Sequence, residues 1–244
     1  GRKAFVRRTR ADYYTDAIDY TKLKILDDFA RDSAPGAECA RGEVHVVRRI
    51  AGYKKIRYYT HENVGYGNIN LPDQEMHTTA VWWQIQSEVL ERAFPSRQQA
   101  LDGFLGAAYA LHHVAALRTL SEPHDLGRAV GDGDARWFAT VDAGGRGQIR
   151  GDDGKVITAD SQGRFRPAVF LYDNYPGGVG LSTPLYEQRH DVVRAAQALV
   201  GACDCRFGCP SCVGPILASD EERGYSPKAA ALRVLELFHG RAQD

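Results

Sequence analysis

Four of the five cysteines of this 244-residue chain fall in one ten-residue stretch, "CDCRFGCPSC", residues 203–212. Thiols packed this closely can form a disulfide framework, act as a redox dithiol or hold a metal ion. Disulfide scaffolds are short, secreted and cysteine-dense throughout, whereas this long chain has only Cys39 besides the cluster. A redox role would rest on Cys209-Pro210-Ser211-Cys212. Such a CxxC normally follows a strand and opens a helix, which lowers the thiolate pKa. Here an apolar-periodic segment, "VVRAAQALVGA", leads in, and "VGPILASDEERGY" follows without helical periodicity. Cys203 and Cys205 would also be left without a role. Metal suits all four: thiolates close a tetrahedral shell around zinc at about 2.3 Å, leaving no position for substrate. The spacing C-x-C-x3-C-x2-C describes a knot in a single loop, with Gly208 permitting a tight turn and Pro210 stiffening the next. A four-cysteine iron–sulfur cluster is the alternative, since Cys-Pro runs occur at such clusters. A closed shell is structural, so the cluster by itself names no reaction.

A second group of residues suits nucleic acid. Charge is balanced overall, 31 Lys/Arg against 31 Asp/Glu, but residues 1–60 hold 14 basic and 8 acidic residues and the remainder 17 and 23. Within the basic part, Arg48, Arg49, Lys54, Lys55 and Arg57 stand beside Tyr53, Tyr58 and Tyr59. Cations pair with phosphates and rings stack on bases; a solvated strand face with snorkelling side chains is the plainer alternative. Strand alternation predicts Tyr58 outward and Tyr59 buried.

Other motifs carry less. "YPGGVGL" can cradle a phosphate at a helix start, but it lacks the GxxxxGK[ST] lysine and the GxGxxG spacing, and a tight strand-to-helix turn explains it as well. His112 and His113 lie mid-helix without a third ligand. Asp173 ends an apolar run with no partner acid at nuclease-like spacing, which reads as structural. "SDEERG" resembles an acidic helicase box, yet no apolar strand precedes it. Residues 1–244 hold no convincing catalytic apparatus.

The elements that must position these groups are legible in outline. Residues 1–30 read as strands, "ARDSAPGAECARG" as a loop, and 43–71 as a hairpin turning at Ala51-Gly52. "MHTTAVWWQI" is a strand and "SEVLERAF" a short helix capped by Ser87. A long helix capped by Ser96 carries apolar residues at 101, 104, 105, 108, 111 and 115. Short β runs fill 131–165, "AVFLYDNY" is a buried strand, and a glycine loop leads into a helix before the cysteines. A last helix runs from Ser226-Pro227 to Gly240. The order predicts an α+β fold: a β-rich segment with a hairpin over 1–75, then a mixed helix/strand zinc-binding half over 76–244. The 66–72 and 121–135 stretches are candidate seams, although neither reads as a flexible linker. No apolar run approaches the about 18–20 residues that span a bilayer, and no signal peptide opens the chain, so the cytosol is the expected compartment. A start at Gly1 with one methionine, Met76, is expected of a piece of a longer protein.

With these residues in view, the run "FLYDNYPGGVGL", then a helix, then "CDCRFGCPSC", resembles the C-terminal zinc-binding domain of superfamily 2 DNA helicases, the mitomycin-repair helicases of bacteria and their RecQ-like eukaryotic cousins. "YKKIRYYTHENVGYGNINLPDQEMHTTAVWW" fits the β segment upstream of that domain, and "HDLG" at 124–127 the linker after its long helix. The likeness spans about residues 45–240 and is most specific over 176–212. It implies a C-terminal part of an ATP-dependent 3′-to-5′ DNA repair helicase, with Cys203, Cys205, Cys209 and Cys212 as structural zinc ligands. ATP and Mg2+ would belong only to a motor upstream. The implied partners are DNA, single-stranded or forked, and the motor domains of the same chain, in the bacterial cytoplasm at the nucleoid, with no membrane. Arg48, Arg49, Lys54, Lys55, Arg57 and Tyr58 are the expected DNA contacts. A zinc-stabilised protein-interaction module without DNA contact, or an independent nuclease or thiol oxidoreductase, would be the other readings.

Overall fold

Two runs rich in β-branched and aromatic residues begin the fold. In this computed structural model, which describes residues 3, 5–60, 62–142, 145–159, 165–214 and 224–239, they form β1 (Tyr13–Ala34) and β2 (Ala37–Arg57). The expected loop "ARDSAPGAECARG" is thus mostly strand, with only Pro35 and Gly36 at the corner. Nor does the chain turn at Ala51-Gly52. It reverses at Tyr58–Thr60 into β3 (Asn63–Asn68), which pairs antiparallel with β2 over Gly52–Ile56. Gly52 serves close approach instead of a turn: a Cβ there would lie 2.6 Å from the Gly67 carbonyl oxygen.

The remaining strands are β4 (Gln74–Ile85), β5 (Leu126–Gly131), β6 (Trp137–Val141), β7 (Gly147–Gly151), β8 (Val156–Ile157) and β9 (Ala168–Asp173). Among the described residues they join one sheet of order β1-β2-β4-β9-β5-β6-β7-β8, with β3 on β2. Among the described residues five helices accompany it: α1 (Ser87–Ala93), α2 (Arg97–Thr119), α3 (Ser182–Glu187), α4 (Arg189–Gly201) and α5 (Pro227–Leu237). The α+β expectation holds. The chain divides into two compact units, 1–21 with 48–74, and 22–47 with 75–244.

In the larger unit the central strands are buried on both faces, which is why "AVFLYD" reads as an unbroken apolar run. Alternation splits their side chains between two cores. Val81, Trp83, Ile85, Val169 and Leu171 meet the helices. Ala80, Trp82, Phe170 and Tyr172 meet Leu23, Val44 and Val46 on the other side. That second side closes because β1 curls back onto the β5–β6 corner, where Lys24 bridges Asp134 and the Ile25 amide donates to Gly133 O at 2.8 Å.

Ser96 caps α2, its Oγ accepting from the Gln99 amide at 3.2 Å. The expected apolar stripe understates this helix: Gly103, Ala107, Ala110, His112 and Val114 are buried as well, so α2 is enclosed on most sides. Ser87 does not cap α1. It lies inside the helix, buried, and donates to Phe165 O at 2.9 Å. The helix expected before the cysteines breaks at Gln188 into α3 and α4. Ser226 caps α5, accepting from the Ala229 amide at 3.2 Å; Gly240 and most of "SDEERG" lie outside the described residues. No helix among the described residues is long and apolar enough to cross a membrane.

α5 crosses α2 at Gly103, where an added Cβ would sit 2.7 Å from Ala230 O and 2.9 Å from Val234 Cγ2. Gly103→Ala should therefore destabilise by about 1–3 kcal/mol through overpacking, against the roughly 1 kcal/mol that alanine gains elsewhere in a helix. Urea denaturation measures this, and an unchanged or raised midpoint would contradict it.

Candidate metal centre

The cysteine loop begins where α4 ends. That helix is anchored by buried Val192, Val193, Ala196 and Val200, and its last turn delivers Cys203. The four Sγ atoms all lie within 4.8 Å of one another. Cys203–Cys209, Cys205–Cys212 and Cys209–Cys212 are 3.6, 3.5 and 3.7 Å apart. These separations far exceed a disulfide bond of about 2.05 Å. They match the edge of a tetrahedron with metal–sulfur bonds of about 2.3 Å, roughly 3.8 Å. Cys39 stays outside this group, buried in the core, where burial pushes its thiol pKa up.

Backbone and α5 hold the loop in place. The Cys209 amide donates to Cys212 Sγ at 3.3 Å. Lys228 Nζ donates to the carbonyls of Cys203 and Cys205. Phe207 O accepts from the Lys228 amide at 2.7 Å and from Ser226 Oγ at 3.1 Å. Burial pushes the Cys212 thiol up to about 12. Burial also raises Cys209, but amide donors from Cys212 and Ser211 outweigh it and bring that thiol down to about 7. A metal must therefore displace protons, so its hold weakens as pH falls. No helix opens at Cys209–Cys212, which lies in turns, so the redox dithiol lacks its usual setting.

The glycine loop does not offer an anion site. Asp173, fully buried at the end of β9, already takes its amides: Oδ2 accepts from Val179, Gly180 and Leu181 at 2.6, 2.7 and 3.2 Å, and from Thr79 Oγ1 at 3.3 Å. His112 is buried too, with Nε2 donating toward Leu126 O at 2.8 Å and Pro123 O at 3.1 Å. It is a satisfied histidine, and burial lowers its pKa.

The basic residues lie in the smaller unit, whose sequence holds 10 Lys/Arg against 5 Asp/Glu. Three of the five are already paired. Arg48 Nε donates to Asp19 at 2.6 Å; Arg49 grips Asp73 with two bonds at 2.8 and 2.7 Å; Arg57 meets Glu62 at 3.0 Å and Asp12 at 3.6 Å. Asp19 and Asp73 are distant in sequence, so spacing alone did not reveal them. Lys54 and Lys55 have no carboxylate partner among the described residues, and Lys55 Nζ lies 5.3 Å from the Tyr13 ring centroid. Tyr58 is outward, at 47 % exposure, but Tyr59 is not buried: it is 98 % exposed. The strand ends at Arg57, and Tyr59 at φ 68° belongs to the turn, where alternation no longer applies.

Residues 107–213 match the family model of the MrfA Zn-binding domain, a range that holds all four clustered cysteines and the glycine loop. The chain is 29 % identical over 235 residues to "Uncharacterized ATP-dependent helicase YprA" of Bacillus subtilis (strain 168), covering 96 % of this chain and 27 % of that protein. It is 30 % identical over 71 residues to "Uncharacterized protein MJ1572.1" of Methanocaldococcus jannaschii, covering 29 % of this chain and 62 % of that one. The crystal structure of DUF1998 helicase MrfA bound to DNA matches with a TM-score of 0.56 and 28 % identity, over 94 % of this chain and 26 % of that chain. The chain thus spans about a quarter of the length of these helicases. Zinc, over iron–sulfur, is the metal that the matched domain and the converging thiols support.

Proposed function

We propose that this chain, whose residues 107–213 match the MrfA Zn-binding domain, is the accessory zinc-binding part of an ATP-dependent 3′-to-5′ DNA repair helicase. The observation that carries this is the four-thiol cluster inside the matched range, in a chain alike over 94 % of its length to part of a DNA-bound helicase. Cys203, Cys205, Cys209 and Cys212 hold one zinc, which supplies cross-linking of a loop and no reaction. ATP and Mg2+ act in motor domains of the full-length protein. A motor walking on one strand needs a rigid, non-motor element to keep its grip or part the duplex, and the clamped loop on α2, α4 and α5 is rigid in that sense. We read residues 76–244 as this zinc-binding part and 1–75 as a β-rich segment facing DNA, single-stranded or at a fork, in the bacterial cytoplasm at the nucleoid. There Lys54 and Lys55 have no carboxylate to give up and the half-exposed Tyr58 can stack, while Arg48, Arg49 and Arg57 exchange a carboxylate for a phosphate.

Reversing Arg48, Arg49, Lys54, Lys55 and Arg57 to Glu tests the assignment by fluorescence anisotropy on single-stranded DNA. The salt slope should fall by roughly 0.7 for each phosphate no longer neutralised, with zinc content unchanged. The two lysines should account for more of the weakening than the three paired arginines. Salt-independent binding, or none, in the wild-type chain would favour a protein-interaction module instead.

A further inference from the structure

Arg128 stands apart from the basic residues of the smaller unit. It is exposed on β5, and among the described residues it has no carboxylate in ion-pair range. What it touches is aromatic and neutral. Its guanidinium lies 5.1 Å from the Tyr109 ring centroid, and Nη1 faces His112 Nδ1 at 3.4 Å. His112 spends its Nε2 proton on two backbone carbonyls, so Nδ1 is left as an acceptor and holds the arginine from behind. One α2 turn on from Tyr109, exposed His113 lies 4.4 Å, centroid to centroid, from the Tyr109 ring. Gly214, two residues past the last clustered cysteine, abuts the same ring: a Cβ there would lie 2.5 Å from Tyr109 Cδ2.

α2 and β5 thus present a cation with no acidic partner among the described residues and an exposed imidazole ring on the same Tyr109 support, against which the end of the cysteine loop also packs. Neighbouring protein partly desolvates the guanidinium and lowers its pKa, though it remains charged. Such a cation gains more from a new anion than one already satisfied by a carboxylate.

We propose that Arg128 and His113 form a DNA-contact patch on the zinc-binding unit, Arg128 taking a backbone phosphate of a single strand and His113 stacking on the adjacent base. Tyr109 and His112 are positioning residues, the first beneath the guanidinium and the second behind it. This rests on the DNA-binding role argued above and adds a contact point in the unit that holds the metal. Planar guanidinium groups suit phosphate oxygens, and aromatic rings stack on bases without regard to sequence.

The test uses the whole chain and a fluorescein-labelled oligothymidylate, with anisotropy read across a salt series. Arg128→Gln should weaken binding about five-fold at moderate salt and reduce the slope by roughly 0.7, the share of one single-strand phosphate. Arg128→Lys keeps the charge and should keep the slope. His113→Ala should weaken binding about five-fold, within the range expected for removing one stacked ring, with the slope unchanged. Zinc content and thermal midpoint should match wild type in all three. Unchanged binding in Arg128→Gln, while the charge reversals on β2 still act, overturns this patch and leaves the broader role standing. A drop in slope in Arg128→Lys equal to that in Arg128→Gln also overturns it, since shape and not charge would then matter. A wild-type chain that does not bind the oligonucleotide defeats the broader role itself. Should Arg128→Gln fail to fold, Arg128→Lys and His113→Ala decide between these outcomes.

Discussion

Cys209→Ser is expected to strip the protein of its metal and unravel the cysteine loop, residues 203–214, ahead of the rest. The purified wild-type chain should carry about one zinc, because four thiolates close one tetrahedral site. Structural zinc supplies on the order of 10 kcal/mol to small domains. The destabilisation here should be about half of that, since the loop is also clamped by Lys228 and Ser226 from α5. The larger unit has two apolar cores of its own, so the damage should start locally: early protease cleavage and weakened amide protection around 203–214 before global melting. Cys39→Ala, a change in the core, should lower stability modestly and leave zinc content intact. Metal affinity should rise with pH across the neutral range, because thiols must lose protons to bind. Atomic emission analysis of wild type and both variants provides the check. Iron, or a well-folded protein without metal, would defeat the expectation.

Asp173→Ala should cost about 3 kcal/mol. One carboxylate oxygen there answers three backbone amides of the glycine loop, and each buried donor left unpaired costs about 1–3 kcal/mol. Val179 is exposed, so water can reach part of the loop and hold the total well below the sum. Asp173→Asn retains an accepting oxygen and should lose less. However, its amide nitrogen falls where the buried Oδ1 has no protein partner, adding an unmet donor. The expected order of stability is Asp, then Asn, then Ala, measured by chemical denaturation. An alanine variant as stable as wild type would show that the loop keeps its shape without the carboxylate.

Much of the site could be read from residue types. Four thiols within ten residues must be near one another whatever the fold, and local spacing sets how they converge. Ser96 and Ser226 could be identified as caps for a similar reason, since a cap acts over three residues. "AVFLYD" could be placed as a buried strand because an apolar run of strand length has few other stable homes. The α+β class followed from the order of such local signals.

Long-range pairing decided the rest. Gly52 looks like a turn residue until β3 is laid beside β2 and its missing side chain proves to make room for Gly67. Arg48 and Arg49 look like free cations until folding brings Asp19 and Asp73 within hydrogen-bond reach. The PGG loop looks like a phosphate cradle until Asp173 supplies the anion from within the protein. Arg128 drew no attention in the sequence, because nothing near it in the chain shows that Tyr109 and His112 will meet it, with no carboxylate in ion-pair range among the described residues. Residue type and spacing determine chemistry that acts over a few residues, such as metal ligation, caps and strand burial. Which charges remain free for a partner is set only when distant segments meet, because an ion pair depends on separation in space and not along the chain.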